Sequence, residues 1–523
     1  MTVFYNENDI AVSRFVENVR NEIRIAPDVL VFDTTLRDGE QTPGVALIPQ
    51  GKLRIAIALD ELGVNTIEAG FPITSDGEKE GIKLITNQGL RAKICGLARA
   101  NKKDIDAAIS CGVGCVHTFI ATSDIHMKHK LKMTQEQVIE HAMNAIEYAK
   151  DHGLVVEFSA EDATRSSIDF LKTVHTKVQE VHVDRINVPD TVGVMNPRAM
   201  YWLISELKKV TKVPMSVHCH NDFGLATANT LAALEAGCDQ FHSTINGLGE
   251  RAGNASFEEI VMSLIAIYKK KMNINIQKIC ETSELVSRLM GVPIQPNKAI
   301  VGQNAFSHES GIHVHGILGE SHTYEAITPE MVGKKRSIVL GKHTGVHAIK
   351  SALDEMNITT SSEQLNEITS RIKKLGDWGK TVIIDDLRAI TEEVLGRISK
   401  HERSVELDEL TVVTGNKVTP IASVKLKIGE DIKIGSKVGV GPVDAALNAI
   451  QSVLTGVEDL ELHEYRLETI TGGSNALAEV TVRLKDKDST IYTGRSVQPD
   501  IVMASVNAMI EGLNRAATKW KIK

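Results

Sequence analysis

The hydrophobic positions change rhythm twice along the chain. From about Asp28 to Lys271, short β-branched runs alternate with longer stretches whose apolar residues recur every three or four positions. These are the periods of strand and amphipathic helix. Strands are predicted at Val29–Asp33, Thr66–Gly70, Lys93–Leu97, Cys115–Ile120, Val155–Ser159, Arg185–Val188, Met215–Cys219 and Gln240–Ile245. Helices between them include Gly51–Leu62, Gln135–Lys150, Pro197–Lys209 and Ser256–Lys270, with Asn196-Pro197 and Ser256 reading as helix starts. Eight such cycles predict an α/β domain over residues 28–290, closed as a (β/α)8 TIM barrel, with an open doubly wound sheet as the alternative. Residues 1–27 form an N-terminal extension.

Residues 291–400 read as helical linker subdomains without a sheet pattern. From 401 to 523 the pattern turns to alternating strands of an α+β domain, and it repeats. Leu410–Val413, Ile421–Lys427 and Asp431–Ile434 precede a helix from Pro442; Leu462–Ile470, Ala476–Lys485 and Ile491–Thr493 precede one from Pro499. This is a duplicated βββα unit. Its glycines, Gly435, Gly439, Gly441, Gly472 and Gly473, match neither the dinucleotide fingerprint nor the phosphate loop. They read as turns or as a small-ligand pocket between the repeats.

A TIM barrel carries its chemistry at the C-terminal ends of its strands. Six of the eight end in polar or ionisable groups: Thr34 to Gly39, His117-Thr118, Ser159 to Asp162, Pro189-Asp190-Thr191, His218 to Asp222, and Asn246 to Asn254. Each alone is an ordinary helix cap, but one rim collecting all six predicts a shared active site. In His218-Cys219-His220 the period of two sends both imidazoles to one face and Cys219 to the other.

Charge narrows the classes of partner. The net charge of -8 is dispersed, without a basic run, which argues against nucleic acid. The N-terminal residues lack the apolar core of a signal peptide and no stretch reaches membrane-spanning length, so a cytoplasmic protein is expected. The six cysteines form no Cys-x-x-Cys pair and read as reduced, mostly buried thiols.

Asp38, His218 and His220, with Asn254 as a further oxygen donor, make a mixed nitrogen and oxygen set suited to magnesium, manganese or zinc. Two histidines and a carboxylate also suit ferrous iron, which keeps a non-haem iron oxygenase as a rival reading. A divalent ion so held polarises the ketone of a chelating 2-oxo acid. Arg37 is placed to neutralise the developing alkoxide. Glu161, beside Asp162, is a candidate for proton transfer, since crowded carboxylates raise one another's pKa. His308, His313 and His315 read either as a second metal cluster or as a loop bringing one catalytic histidine to the barrel mouth.

Asp33 to Gln41, His218 to Asp222 and Gly247 to Asn254 together resemble the 2-isopropylmalate, citramalate and homocitrate synthases, and the resemblance runs through the duplicated C-terminal unit. It implies acetyl-CoA as co-substrate and a divalent metal bound by Asp38, His218 and His220, with Asn254 in or beside that shell. It also implies that Arg37 is catalytic and that Glu161, His313 and Tyr324 take part in deprotonating the acetyl methyl. The C-terminal domain is then a leucine-binding regulatory domain, and the protein a homodimer whose linker reaches the partner's barrel. Gly70-Phe71-Pro72, Gly96 to Arg99, His117 to Ser123 and Phe158 to Glu161 look like the isopropylmalate branch. Substrate contacts are expected from Arg37, His117, Ser159 and Thr191. Small Ser159 leaves room for an isopropyl group, although one such difference is worth only about 1–3 kcal/mol. Pyruvate, for a citramalate synthase, is the near alternative; 2-oxoglutarate, which needs a cation such as Arg99 or His117 for its distal carboxylate, comes third.

Overall fold

The structure is a computed structural model that describes residues 9–517 except 20, 21, 24, 311, 312, 314, 315, 318, 339, 378–381, 383, 396–404, 455–459, 470–477, 488 and 489. The chain divides between residues 339 and 340 into two compact units.

In the first unit eight parallel strands close in sequence order: β1 (Leu30–Asp33), β2 (Thr66–Gly70), β3 (Lys93–Arg99), β4 (Cys115–Ala121), β5 (Val155–Glu161), β6 (Arg185–Asp190), β7 (Met215–Cys219) and β8 (Gln240–Ser243). Pairing of Leu30 with Gln240 seals the barrel and removes the open-sheet alternative. Several strands run two residues further toward the rim than their β-branched runs, because barrel hydrogen bonding continues past the apolar segment. The helices start where local chemistry satisfies free amides. Thr134 and Gln137 form a capping box for Gln135–Asp151, and Asn196 caps Pro197–Lys208.

The two faces of each strand divide the labour. On β5, Val156, Phe158 and Ala160 join the apolar layer between strands and helices, while Glu157 and Ser159 are buried polar residues facing inward. On β7, Val217 and Cys219 belong to that apolar layer, opposite His218. The barrel interior is therefore largely polar. Glu157 accepts hydrogen bonds from Ser216 Oγ at 2.6 Å and Gln240 Nε2 at 2.8 Å, and its Oε1 lies 2.7 Å from His242 Nε2. Phe32, stacked on His242 at 4.2 Å between ring centroids, forms a small apolar cluster with Cys95 and Cys115. All six cysteines are buried and free. Short strands β9 (Ser307–His308) and β10 (Ser337–Ile338) pair in the region after the barrel.

The second unit begins with helices Val346–Glu355, Ser362–Asp377 and Ile384–Val394. Two three-stranded antiparallel sheets follow, β11 (Val405–Gly415), β12 (Val418–Ile428) and β13 (Asp431–Val438), then β14 (Glu461–Thr469), β15 (Ala478–Lys485) and β16 (Ile491–Gln498). Each sheet is followed by a helix, Pro442–Val453 and Ile501–Ala517. Both repeats share one core, including Leu426 and Ile450 from the first and Val482 and Met509 from the second. The second helix starts after Pro499 rather than on it, because Asp500 Oδ1 accepts from the amides of Val502 and Met503. Gly435 is not a turn residue. It lies in β13, where an added Cβ would come within 2.3 Å of Val453, and its counterpart Gly494 in β16 would meet Ala508 O at 1.9 Å. Gly472 and Gly473 lie outside the described residues.

Candidate active site

The turn after β1 is wound tightly, the amides of Asp38 and Gly39 both donating to Thr34 O, at 2.8 and 3.1 Å. It thereby presents Arg37 and Asp38 to the rim. From β7, His218 and His220 arrive on one face. His218 Nε2 lies 3.1 Å and His220 Nε2 3.6 Å from Asp38 Oδ2, and the two Nε2 atoms face each other at 3.1 Å. Among the described residues this buried trio forms the one group of His, Cys, Asp or Glu side chains able to hold a metal ion, its ligand atoms all within 4.8 Å.

The donor set fits a divalent cation. Burial and the neighbouring His218 push His220 down to about 3, which keeps it in the neutral, ligating form. Burial opposes the charge of Asp38, but the Arg37 guanidinium and the two imidazoles more than offset it and hold the carboxyl well below the usual range. Asp38 Oδ2 and Asn254 Oδ1 are both buried without a hydrogen-bond donor. Asn254 is bridged to His220 through the backbone and donates its Nδ2 to Leu248 O at 3.0 Å, which leaves that Oδ1 free to ligate.

Glu68, on β2, organises the substrate side. Its Oε2 accepts from Arg37 Nε at 2.6 Å and its Oε1 lies 2.6 Å from His117 Nδ1. Burial raises its pKa, but Arg37 and His117 bring it down to about 2. His117 Nε2 continues to Ser159 Oγ at 2.6 Å, and Ser159 also accepts from Asn187 Nδ2 at 2.7 Å. A cavity of about 250 Å³ gathers Arg37, Asp38, His117, Ser159, Glu161, Thr191, His218 and His220, with Leu97, Phe119, Asn187 and Pro189 in its wall.

One expectation is corrected, and two lesser alternatives find no support. Glu161 and Asp162 do not crowd one another: Glu161 pairs with Lys130 at 2.6 Å, whereas Asp162 bonds Arg165 and Ser123. Asp162 takes a left-handed conformation, and its amide donates to Thr191 Oγ1 at 3.0 Å. The second metal cluster does not form among the described residues. His308 pairs with Glu325 at 3.2 Å, His313 stacks on Tyr324 with centroids 4.0 Å apart, and His315 lies outside the described residues. His313 and Tyr324 are exposed and are not part of the cavity wall. Third, Arg99 is held by Asp104 through two bonds of 2.7 and 3.0 Å and stands outside the cavity.

Glu68, Lys130 and Asn187 escaped sequence reasoning. The available signal for Glu68 was an ionisable residue inside an otherwise apolar strand, since an unpaired charge there is expensive.

Comparison with known proteins agrees with this geometry. Residues 28–286 match the HMGL-like family, 300–380 the homocitrate synthase post-HMGL domain-like family, and 381–517 the LeuA allosteric (dimerisation) domain. The chain is 57% identical over 523 residues to a 2-isopropylmalate synthase of Methanocaldococcus jannaschii, covering 99% of each. It is 55% identical over 488 residues to an (R)-citramalate synthase of the same organism, covering 93% of this chain and 99% of that one. Among the described residues no helix is long and apolar enough to cross a membrane. An acyltransferase barrel of this kind leaves no place for the oxygenase reading, and the chain belongs to the 2-isopropylmalate synthase family.

Proposed function

We propose that the protein condenses acetyl-CoA with 3-methyl-2-oxobutanoate and water to give (2S)-2-isopropylmalate and free CoA, the committed step of leucine synthesis. The observation carrying this reading is the small cavity beside Asp38, His218 and His220, walled by Leu97, Phe119 and Pro189 and floored by Ser159. His117 and Asn187 Nδ2 both turn onto Ser159, and the apolar wall of Leu97, Phe119 and Pro189 suits a short apolar side chain. The engagement of Arg99 by Asp104 counts against 2-oxoglutarate. Citramalate synthesis from pyruvate is the second reading, favoured by the 55% identical citramalate synthase.

Asp38, His218 and His220, with Asn254 beside them, would hold the divalent ion. Magnesium, manganese or zinc bound there supplies Lewis acidity to the ketone of the 2-oxo acid. Arg37 reaches the same cavity, and its charge is maintained because burial is outweighed by Asp38 and Glu68; it compensates the negative charge that grows on the ketone oxygen. Glu161, tethered by Lys130, and the stacked pair His313 and Tyr324 are assigned to removal of a methyl proton from acetyl-CoA. The resulting enolate carbon attacks the ketone carbon, forming the new carbon–carbon bond as the C=O π bond opens to an alkoxide, which takes a proton to become the product's hydroxyl. Water then cleaves the thioester and releases CoA.

His313 and Tyr324 reach the rim from a second chain of a homodimer in this reading, leucine inhibits through the duplicated domain, and the enzyme works in the cytoplasm. CoA release with 3-methyl-2-oxobutanoate, pyruvate and 2-oxoglutarate, with and without EDTA and leucine, tests the assignment. Preference for pyruvate would replace it with the citramalate reading. Mixing His313→Ala and Arg37→Ala chains tests the shared site, and activity that stays absent from the mixture would refute it.

A further inference from the structure

Two motif residues remain without a role in the chemistry above, Glu40 and Gly70, and they meet at one buried lysine. Lys52, on the helix Pro49–Leu62, has a side chain only 1% exposed. Its Nζ lies 2.7 Å from Glu40 Oε2 and 2.6 Å from Glu78 Oε2, and donates to Leu36 O at 3.1 Å and Ala69 O at 3.2 Å. Each carboxylate spends its other oxygen on the backbone, Glu40 on the amide of Leu47 at 2.9 Å and Glu78 on that of Phe71 at 2.8 Å. Gly70 is required by this cluster. At its φ of +152° an added Cβ would lie 1.9 Å from Glu78 Oε1 and 2.9 Å from Lys52 Nζ.

The two carbonyls that Lys52 holds flank the catalytic side. Leu36 O belongs to the peptide unit that carries the amide of Arg37, and Ala69 immediately follows Glu68. Arg37 and Glu68 are themselves joined at 2.6 Å, and Arg37 Nη1 lies 3.0 Å from Asp38 Oδ2. The contacts close a ring: Lys52 to Leu36, Arg37 to Glu68, Ala69 back to Lys52. One ammonium thus fixes the spacing between the turn after β1 and the end of β2.

We infer that Lys52 is a positioning residue, which through Leu36 O and Ala69 O holds Arg37, Asp38 and Glu68 in register for metal and substrate. This rests on the metal-site reading above. Burying an ion cluster adds little net stability compared with an apolar or neutral replacement, whereas removing one partner strands the others. The role is therefore separable from folding in a neutral cluster.

The test compares wild type, Lys52→Met, and the triple variant Lys52→Met/Glu40→Gln/Glu78→Gln, which carries no cluster charge. Mn2+ binding to the substrate-free protein is followed by electron paramagnetic resonance, Co2+ binding by its visible spectrum, and turnover by CoA release. The triple variant should unfold cooperatively near the wild-type temperature. It should bind Mn2+ about tenfold more weakly, shift the Co2+ bands and lose about 10- to 100-fold in kcat, with the KM for acetyl-CoA within about twofold. Wild-type Mn2+ affinity, Co2+ spectrum and kcat in a folded variant would overturn the inference. So would failure of both variants to fold, since the cluster would then be a folding element. A wild-type protein that binds no Mn2+ sinks the metal-site reading together with this one; normal wild-type binding and turnover with unaltered variants sinks only the role of Lys52.

Discussion

Two buried carboxylates inside the same barrel have opposite surroundings. Glu157, lower in the barrel, has both oxygens hydrogen-bonded, to Ser216 and Gln240, with His242 at 2.7 Å. Asp38, at the rim, has one oxygen approached by two imidazole nitrogens and a guanidinium, yet no donor satisfies it. A carboxylate whose lone pairs are all used serves the packing of the barrel interior. One whose oxygen makes no hydrogen bond and faces two imidazole nitrogens is prepared for a cation. Burial alone does not separate the two, since both side chains are about 2% exposed.

The comparison breaks most decisively at the metal trio. His218→Ala should abolish Mn2+ binding, measured by equilibrium dialysis, and lower kcat by about a thousandfold or more if Lewis acidity carries several kcal/mol of the barrier. Retention of tight binding would place the metal elsewhere. Glu157→Gln is the contrasting change. It should cost about 2–3 kcal/mol of unfolding free energy in a urea titration, because donors now face an amide, while leaving the Mn2+ affinity intact. If Glu157→Gln weakens the metal instead, the two layers are not independent.

A smaller effect concerns selectivity. Ser159→Val fills the cavity floor and removes the acceptor for Asn187, so the kcat/KM ratio of 3-methyl-2-oxobutanoate to pyruvate should fall about 10- to 100-fold. An unchanged ratio would move the discriminating contact to Leu97 or Phe119. In the duplicated unit, Gly494→Ala should destabilise that unit by about 2 kcal/mol, read by hydrogen exchange in β16, because the methyl meets Ala508 O. CoA release without leucine should persist.

The smallest effect is one of pH. Burial raises Asp33 to about 7, with hydrogen bonds from Thr35 opposing it. A carboxyl whose pKa is higher in the folded than in the unfolded chain favours folding below its unfolded value, and that advantage is lost as pH rises through about 7. Asp33→Asn should therefore gain stability relative to wild type between pH 6 and pH 8, by about 1 kcal/mol. Equal differences at the two pH values would mean that Asp33 is ionised throughout.

The chain's local order was written in its sequence. Period-two and period-3.6 patterns depend on residues a few positions apart, so eight strands, their helices and the βββα duplication were legible, as was the opposition of Cys219 to His218 and His220. The rim motifs were legible for the same reason, each being a continuous run after a strand. Partnerships set by barrel closure were not. Glu68 and His117 are 49 positions apart and Glu161 and Lys130 are 31 apart, and nothing local to either residue announces its partner. The tertiary structure alone decided that Glu68 joins Arg37 to His117, that Arg99 turns to Asp104, and that Lys52 is buried between two carboxylates. A charge inside an apolar run signals only that some partner must exist, and the closed barrel determines which one, because it fixes which side chains share an interior too small for any of them to remain alone.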